Sequence, residues 1–91
     1  MNASSHRVCL YVAGDSPNSR LARANLAAIA GESFPAGWEV EVVDVFEHPD
    51  RALADGVLLT PMLVADPGSR VIGTLAETAA VLAALGLEGS R

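Results

Sequence analysis

Hydrophobic and polar positions along the chain follow a strand-like alternation in some stretches and helical spacing in others. The first strand is predicted over residues 8–13, where Val8, Leu10 and Val12 alternate with Cys9 and Tyr11. Both alternating sets are largely apolar, which is typical of a strand buried on both faces of a sheet. The chain therefore opens its ordered part with a central strand.

A turn into a helix follows this strand. Gly14 ends the strand, Asp15 and Ser16 favour a turn, and Pro17 fixes φ where a new element begins. The side chain of Asn18 or Ser19 is expected to accept a hydrogen bond from the first turn of the helix. Strand-to-helix corners of this kind often carry functional groups.

Six further elements are predicted by the same pattern. They are a first helix over 18–30 ended by Gly31, a second strand over 38–46, a short helix over 51–55 closed by Gly56, a third strand that starts at Met62 after Pro61, a fourth strand over 70–73 after a turn at 66–69, and a last helix over 74–85. Thr74 and Glu77 have the spacing of a capping box at the start of the last helix.

This order of elements predicts an α/β fold of the thioredoxin-like type, βαβαββα, as a single domain over residues 1–91. The first strand, helix and second strand form a right-handed parallel unit, and the later hairpin extends the sheet on the other side of the first strand. Residues 1–6 and 88–91 are expected to fray. Pro61 would precede the third strand, where thioredoxin-like folds typically carry a cis proline that faces the corner.

Charge and length exclude several classes of partner. The 91 residues include six arginines and no lysine against eleven acids, a net charge of −5. A basic face for nonspecific nucleic-acid binding or for an anionic membrane is therefore missing. No apolar run is long enough to span a membrane, and residues 1–7 are too short and polar for a signal peptide. We expect a cytoplasmic protein.

Candidate catalytic chemistry is sparse. Cys9 is the single cysteine and lies in the middle of a strand, so we interpret it as a core residue and no internal dithiol can form. His6 and His48 are accompanied by no ligand cluster, so no metal site is predicted. Glu39 and Glu41 on the second strand are interpreted as charges that keep an edge strand from pairing with the wrong chain. No catalytic, cofactor-binding or metal-ligating residue is predicted.

Several segments in register give the chain a family resemblance. These segments are Leu-Tyr-Val-Ala-Gly at 10–14, Ser-Pro-Asn-Ser at 16–19, Val-Asp-Val at 43–45 with Pro49, Leu-Thr-Pro at 59–61, and Arg-Val-Ile-Gly at 70–73 with Leu75. With these segments in this order, the chain resembles the circadian-clock KaiB family over about residues 8–87.

The resemblance implies a non-enzymatic regulatory protein that docks on a KaiC-like ATPase ring, with a KaiA-like protein as a further partner. The family switches folds: an inactive βαββααβ form, usually a tetramer, rearranges the second half of the chain into a thioredoxin-like monomer that binds. In the alternative fold this chain would be a tetramer or a dimer. Alanines in residues 77–85 favour helix over strand. We therefore expect the thioredoxin-like monomer to be the resting state.

Two sets of residues are candidates for these roles. Partner binding is expected of Arg20, Arg23, Glu39, Glu41, Val43 and Arg70, with backbone pairing along the edge at 39–43. Roles in fold switching are expected of Gly56, Thr60, Pro61, Pro67 and Gly73, although ordinary turn chemistry would also explain them.

Departures from the family pattern concern charge. Gly56 stands where the family often has a lysine, Thr74 where it has an acid, and Leu21 where it has a basic residue near the start of the first helix. With Gly56 and Leu21 at these positions, the chain carries less positive charge for docking. A stress-response homologue with another partner is therefore an alternative interpretation.

Two other functions remain open at this point. A thiol or glutathione-dependent enzyme could hold its substrate at Ser16 and at Thr60 and Pro61, although fold alone does not decide function. A detached sensor domain similar to that of the SasA kinase would have the same sequence features.

Overall fold

The computed structural model describes residues 6–65 and 68–87. Its seven elements are β1 (His6–Val12), α1 (Pro17–Ser33), β2 (Trp38–Asp44), α2 (Pro49–Ala54), β3 (Met62–Ala65), β4 (Ser69–Ile72) and α3 (Thr78–Ala84). This is the predicted thioredoxin-like order. Residues 66 and 67 of the predicted turn, residues 1–5 of the segment 1–6 that was expected to fray, and residues 88–91 lie outside the described residues.

The four strands form one sheet in the order β2-β1-β3-β4. β1 and β2 are parallel, with Tyr11 opposite Val43, whereas β3 is antiparallel to β1 and β4 is antiparallel to β3. The hairpin therefore extends the sheet on the far side of β1, as predicted. β2 and β4 are its two edges.

Helices cover the two faces of the sheet unequally. Side chains of α1 and α3, including Leu26, Ile29 and Val81, pack with Val8 and Leu10 in the larger core cluster. On the opposite face a smaller cluster joins Cys9, Tyr11 and Val43 to Ala52 of α2. Because α2 has six residues, it covers this second face only in part.

α1 is longer than the pattern predicted, and its capping residue is different. Ser16 is the N-cap: its Oγ accepts a hydrogen bond from the Ser19 N–H at 3.3 Å, with Pro17 in the first turn. Gly31 lies inside the helix, which continues to Ser33 and ends at Phe34 in extended conformation. A glycine in a helix interior costs about 1 kcal/mol relative to alanine, which the packing of α1 on the sheet outweighs.

α3 starts four residues later than predicted. Its N-cap is Glu77, which makes no side-chain capping bond, so the proposed capping box of Thr74 with Glu77 is wrong. Leu75 has φ 64° and is 4% exposed within the larger core cluster. Burial of this side chain requires a backbone conformation that a helix cannot have, and therefore delays the helix.

Other element boundaries differ by a few residues. β2 ends at Asp44 and not at residue 46, because the Asp44 carboxylate accepts hydrogen bonds from the N–H groups of Gly14 and Phe46. The expectation that His6 frays is wrong, because His6 belongs to β1 and stacks on Trp38 with ring centroids 4.5 Å apart. In the described parts of the chain, no helix combines the length and apolar character needed to cross a membrane.

Candidate functional site

The corner between β1 and α1 is held by hydroxyl groups. Ser19 is 1% exposed, and its Oγ accepts a hydrogen bond from the Ala13 N–H at 3.0 Å. Ser16 Oγ lies 2.9 Å from Ser19 Oγ and also accepts from the Ser19 N–H. Both hydroxyls therefore stabilise the start of α1, and the Ser16 hydroxyl is engaged in hydrogen bonds with Ser19.

Phe46 covers the same corner from the end of β2. A Cβ built on Gly14, which has φ 58°, would lie 3.5 Å from the Phe46 ring. The ring is 74% exposed. The corner thus presents an aromatic face to solvent.

The corner carries no thiol group. Cys9, the single cysteine, is 5% exposed and packs with Tyr11 on the α2 face of the sheet. Burial raises the pKa of its thiol, which disfavours the reactive thiolate form. The interpretation of Cys9 as a core residue is confirmed.

Pro61 lies where the sequence predicted it. The Thr60–Pro61 bond is cis, and the β1–β3 register, with Met62 opposite Tyr11, brings Pro61 next to Val12 at the end of β1. Its carbonyl accepts a hydrogen bond from the Gly73 N–H at 2.9 Å. Thr60, Pro61 and Gly73 therefore meet at one end of the sheet.

Four of the six predicted partner-binding residues share one face of the sheet. Strand register places Glu39, Glu41 and Val43 of β2 and Arg70 of β4 on the face that carries α2. Val43 is 2% exposed, so its side chain belongs to the core.

Arg20 and Arg23 are not brought together with this set. Both are exposed on α1, which packs on the opposite face of the sheet. A partner that touched both groups would have to reach around an edge or an end of the sheet.

Ion pairs organise the α2 face. Arg51 of α2 binds Glu41 with both terminal nitrogens, at 2.5 and 2.8 Å. This hydrogen bonding lowers the pKa of the Glu41 carboxyl and raises that of the Arg51 guanidinium. Arg7 and Glu39 form a looser and more exposed pair at 3.7 Å.

Below α2, a polar cluster lines a cavity of about 290 Å³. Tyr11 lines this cavity, and its hydroxyl donates a hydrogen bond to the Asp55 carboxylate. Burial, followed by this hydrogen bond, raises the pKa of Tyr11. Within residues 6–65 and 68–87, no group of three or more His, Cys, Asp or Glu side chains is arranged to hold a metal ion.

Two of the proposed switch residues, Gly56 and Gly73, lie just after the end of an element. Gly56 ends α2 with φ 68°, and a Cβ built there would lie 3.9 Å from Arg70 Nη2. Gly73 ends β4 with φ 114°, a conformation that favours glycine. The prediction for Pro67 falls outside the described residues.

Exposed hydrophobic side chains were missed by the sequence reasoning. They are Phe46 (74% exposed), Leu53 (79%), Leu58 (88%), Leu59 (59%) and Ile72 (59%). The apolar run 57–59 before Pro61 was a signal for this, because a run outside any strand has no sheet to bury it.

The sequence also did not predict which backbone groups of β2 face outward from the sheet. The Val45 N–H donates to the Val12 carbonyl at 2.8 Å, so odd-numbered residues of β2 bond to β1. Val40 and Val42, 42% and 44% exposed, therefore direct their backbone groups outward. These two residues are the pairing positions within the predicted edge at 39–43.

Sequence comparison relates the chain to clock proteins. A family model described as the KaiB domain matches residues 9–87. Circadian clock protein KaiB3 of Synechocystis sp. is 38% identical over 82 residues, which cover 87% of this chain and 78% of that protein. The circadian clock oscillator protein KaiB of Prochlorococcus marinus is 40% identical over 81 residues, 86% of this chain and 68% of the relative.

Structural comparison relates the fold to thioredoxins. Chloroplastic thioredoxin z superposes with a TM-score of 0.72 at 20% identity, over 97% of this chain and 82% of that one. Mitochondrial thioredoxin 3 of Saccharomyces cerevisiae gives 0.73 at 20% identity, over 92% and 77%. At this identity the likeness shows a shared fold, and the thioredoxin-like prediction is confirmed.

Proposed function

Because the chain belongs to the KaiB family, we propose that it is a non-enzymatic regulatory protein of the cytoplasm that binds a KaiC-like ATPase ring in its thioredoxin-like state. The observation that carries the proposal is the KaiB match over residues 9–87, which includes nearly every described element. The corner supports it, because its two serine hydroxyls cap α1 and the single thiol is buried elsewhere.

Residues 53–59 and Arg70 form the proposed ring-binding surface. Leu53, Leu58 and Leu59 are between 59% and 88% exposed. Complete burial of one such side chain contributes about 1.5–3 kcal/mol, so a partner that covered them would gain affinity. The Arg70 guanidinium lies next to Gly56 in this segment and adds a positive charge that an acidic group on the ring could pair.

The β2 edge is the proposed second contact, for a KaiA-like protein. Val40 and Val42 offer outward backbone groups, and Glu39 and Glu41 flank them on the α2 face. An added strand would pair through these groups and read the side chains on alternate faces. Arg20 and Arg23 on α1 are proposed to guide the approach of a partner without forming part of either contact.

Fold switching is also proposed, with Gly56, Thr60, Pro61, Pro67 and Gly73 as the positions where the backbone changes. Gly56 and Gly73, both at positive φ, support this, because glycine accepts left-handed and right-handed conformations at similar cost. Switching would concern the second half of the chain, and β1, α1 and β2 would persist.

Ring binding is tested by co-elution of the protein with the KaiC ring of Synechocystis sp. on size-exclusion chromatography, followed by titration of a fluorescently labelled chain. Leu58→Asp combined with Arg70→Glu should weaken binding by about tenfold or more, since it removes an apolar contact and reverses a charge. Leu21→Asp is the matched control, because Leu21 is 53% exposed on the opposite face.

The proposed surface would be supported if the wild type and Leu21→Asp bind equally well and the double variant binds more weakly. Failure to co-elute at tens of micromolar protein would contradict ring binding, and equal losses in both variants would contradict the location. Turnover in a glutathione-coupled disulfide reduction assay would instead favour the enzymatic reading.

A further inference from the structure

Two backbone positions on the outer edge of β4 have no strand partner among the described residues. The Gly73 N–H donates to the Pro61 carbonyl, which makes Gly73 and Pro61 a hydrogen-bonded pair of the β3–β4 ladder. Such pairs alternate in antiparallel sheets, so Val71 also bonds inward while Arg70 and Ile72 direct their N–H and C=O groups away from β3. No other described strand lies beyond β4.

A groove runs beside this edge, between β4 and α3. It has a volume of about 280 Å³ and is lined by Val71, Ile72, Thr74, Leu75, Ala76, Glu77, Ala80 and Val81. Alanines on the α3 side keep the groove open, and Glu77 is its carboxylate. An open strand edge next to an apolar groove is the arrangement with which β-strand addition recognises extended peptides.

We propose that β4 and α3 bind an extended peptide segment of a partner protein, which adds to the sheet as a fifth strand with aliphatic side chains in the groove and an acidic side chain beside Arg70. Alternate residues of an added strand face opposite sides of the sheet. The residues on the α3 side enter the groove, where Glu77 disfavours a negative charge. The residue between them faces the α2 side, where the exposed Arg70 lies.

A second copy of this chain fits the edge less well than a peptide of this chemistry. Two β4 strands paired through Arg70 and Ile72 would place both Arg70 side chains on one face of the joined sheet, where like charges repel. An edge of four residues is also short for the area of roughly 1,200 Å² or more that a stable interface buries. Charge and area therefore favour a peptide.

The test is an NMR titration of the ¹⁵N-labelled protein with a capped peptide of sequence Ser-Val-Glu-Val-Ser. Shift changes are expected at residues 69–77 and 80–81. Ala80→Leu fills the groove from the exposed side of α3 and should weaken binding by about tenfold or more. Ala83→Leu, on the same helix but outside the groove lining, is the matched control and should bind as the wild type does.

A charge exchange tests the contact with Arg70. Arg70→Glu should lose the glutamate peptide and should bind better when lysine replaces the central glutamate. The proposal is overturned by unchanged spectra at millimolar peptide, by undiminished binding of the Ala80→Leu variant, or by edge shifts that grow with protein concentration alone, which would assign the edge to a second copy. Ala80 lies outside the proposed ring surface, so ring co-elution of Ala80→Leu separates the two proposals.

Discussion

Glu41 and Arg51 are the side chains through which α2 is attached to the edge strand β2. Their two hydrogen bonds hold Arg51, which also lines the cavity together with Tyr11 and Cys9. Because α2 contributes Ala52 as its buried side chain, this ion pair supplies much of the orientation of the helix. Both side chains are 38% exposed, so solvent weakens their attraction.

Stability should depend on pH through Glu41. The Arg51 hydrogen bonds lower the pKa of the carboxyl below its ordinary value of 4.5 in the folded protein. The unfolded chain therefore binds the proton first as pH falls. The contribution of this pair is present above the unfolded pKa and is lost as pH falls through the folded pKa. Glu41→Gln should destabilise the protein modestly at pH 7.

Urea unfolding followed by the fluorescence of Trp38, the single tryptophan, measures this effect between pH 7 and pH 3. The difference between wild type and Glu41→Gln should shrink as the solution becomes acidic. Glu39→Gln is the control: its pair with Arg7 is 3.7 Å long and about 60% exposed, so its loss should have little effect. A difference for Glu41→Gln that stayed constant down to pH 3 would contradict the proposed role of the ion pair.

At the scale of elements, the segment between β4 and α3 shows where local sequence fails to decide structure. Thr74 and Glu77 have the sequence spacing of a capping box. In the structure, however, the Thr74 carbonyl accepts a hydrogen bond from Asn25 Nδ2 of α1 at 2.8 Å. Leu75 then turns into the core at φ 64°. A contact across 49 positions of sequence overrides a motif four residues long.

Strand pairing was predictable for a different reason. The alternation in β1, the proline before Met62 and the turn residues at 66–69 each agree with the final topology, so local and global preferences coincide. The candidate site was predicted less fully. The sequence named Glu41 and Arg70, but their shared face follows from strand register, and the exposure of Leu58 follows from the short α2.

Asn25→Ala should lower the free energy of unfolding by about 1 kcal/mol, because it removes a partly buried hydrogen bond and leaves the Thr74 carbonyl without that donor. Leu75→Ala should cost about 2–4 kcal/mol through lost burial and the resulting cavity. Arg23→Ala, exposed on the same helix as Asn25, should stay within about 0.5 kcal/mol of wild type. Chemical denaturation measures all three.

An Asn25→Ala variant as stable as wild type would show that the tie between α1 and the β4–α3 segment contributes nothing. A cost of less than about 1 kcal/mol for Leu75→Ala would contradict the contribution of this side chain to the core.

For the whole molecule, the question is whether a second fold is populated beside the thioredoxin-like one. NMR backbone shifts should be helical over 78–84 and extended over 62–65 and 69–72 at both low and high protein concentration. The alanines of α3 favour this state, since alanine is the strongest helix former and a weak strand former. Extended shifts over 78–84 that increase with concentration would show an associated alternative fold instead.

A pair of substitutions makes this test sensitive to a minor state. Ala79→Val with Ala83→Val changes exposed positions of α3, so it lowers helix propensity by about 1 kcal/mol in total with little effect on packing. If the second half of the chain can adopt another fold without this helix, the ratio of that fold to the thioredoxin-like one should rise by about fivefold.

The matched control is Ala24→Val with Ala27→Val, at exposed positions of α1. α1 lies in the half of the chain that the proposed switch leaves intact, so this pair should lower overall stability by a similar amount without new resonances. New resonances in the α3 variant alone would support a two-fold equilibrium. Identical behaviour of both pairs would mean that the sequence has a single folded state, and that ring binding must proceed without a switch.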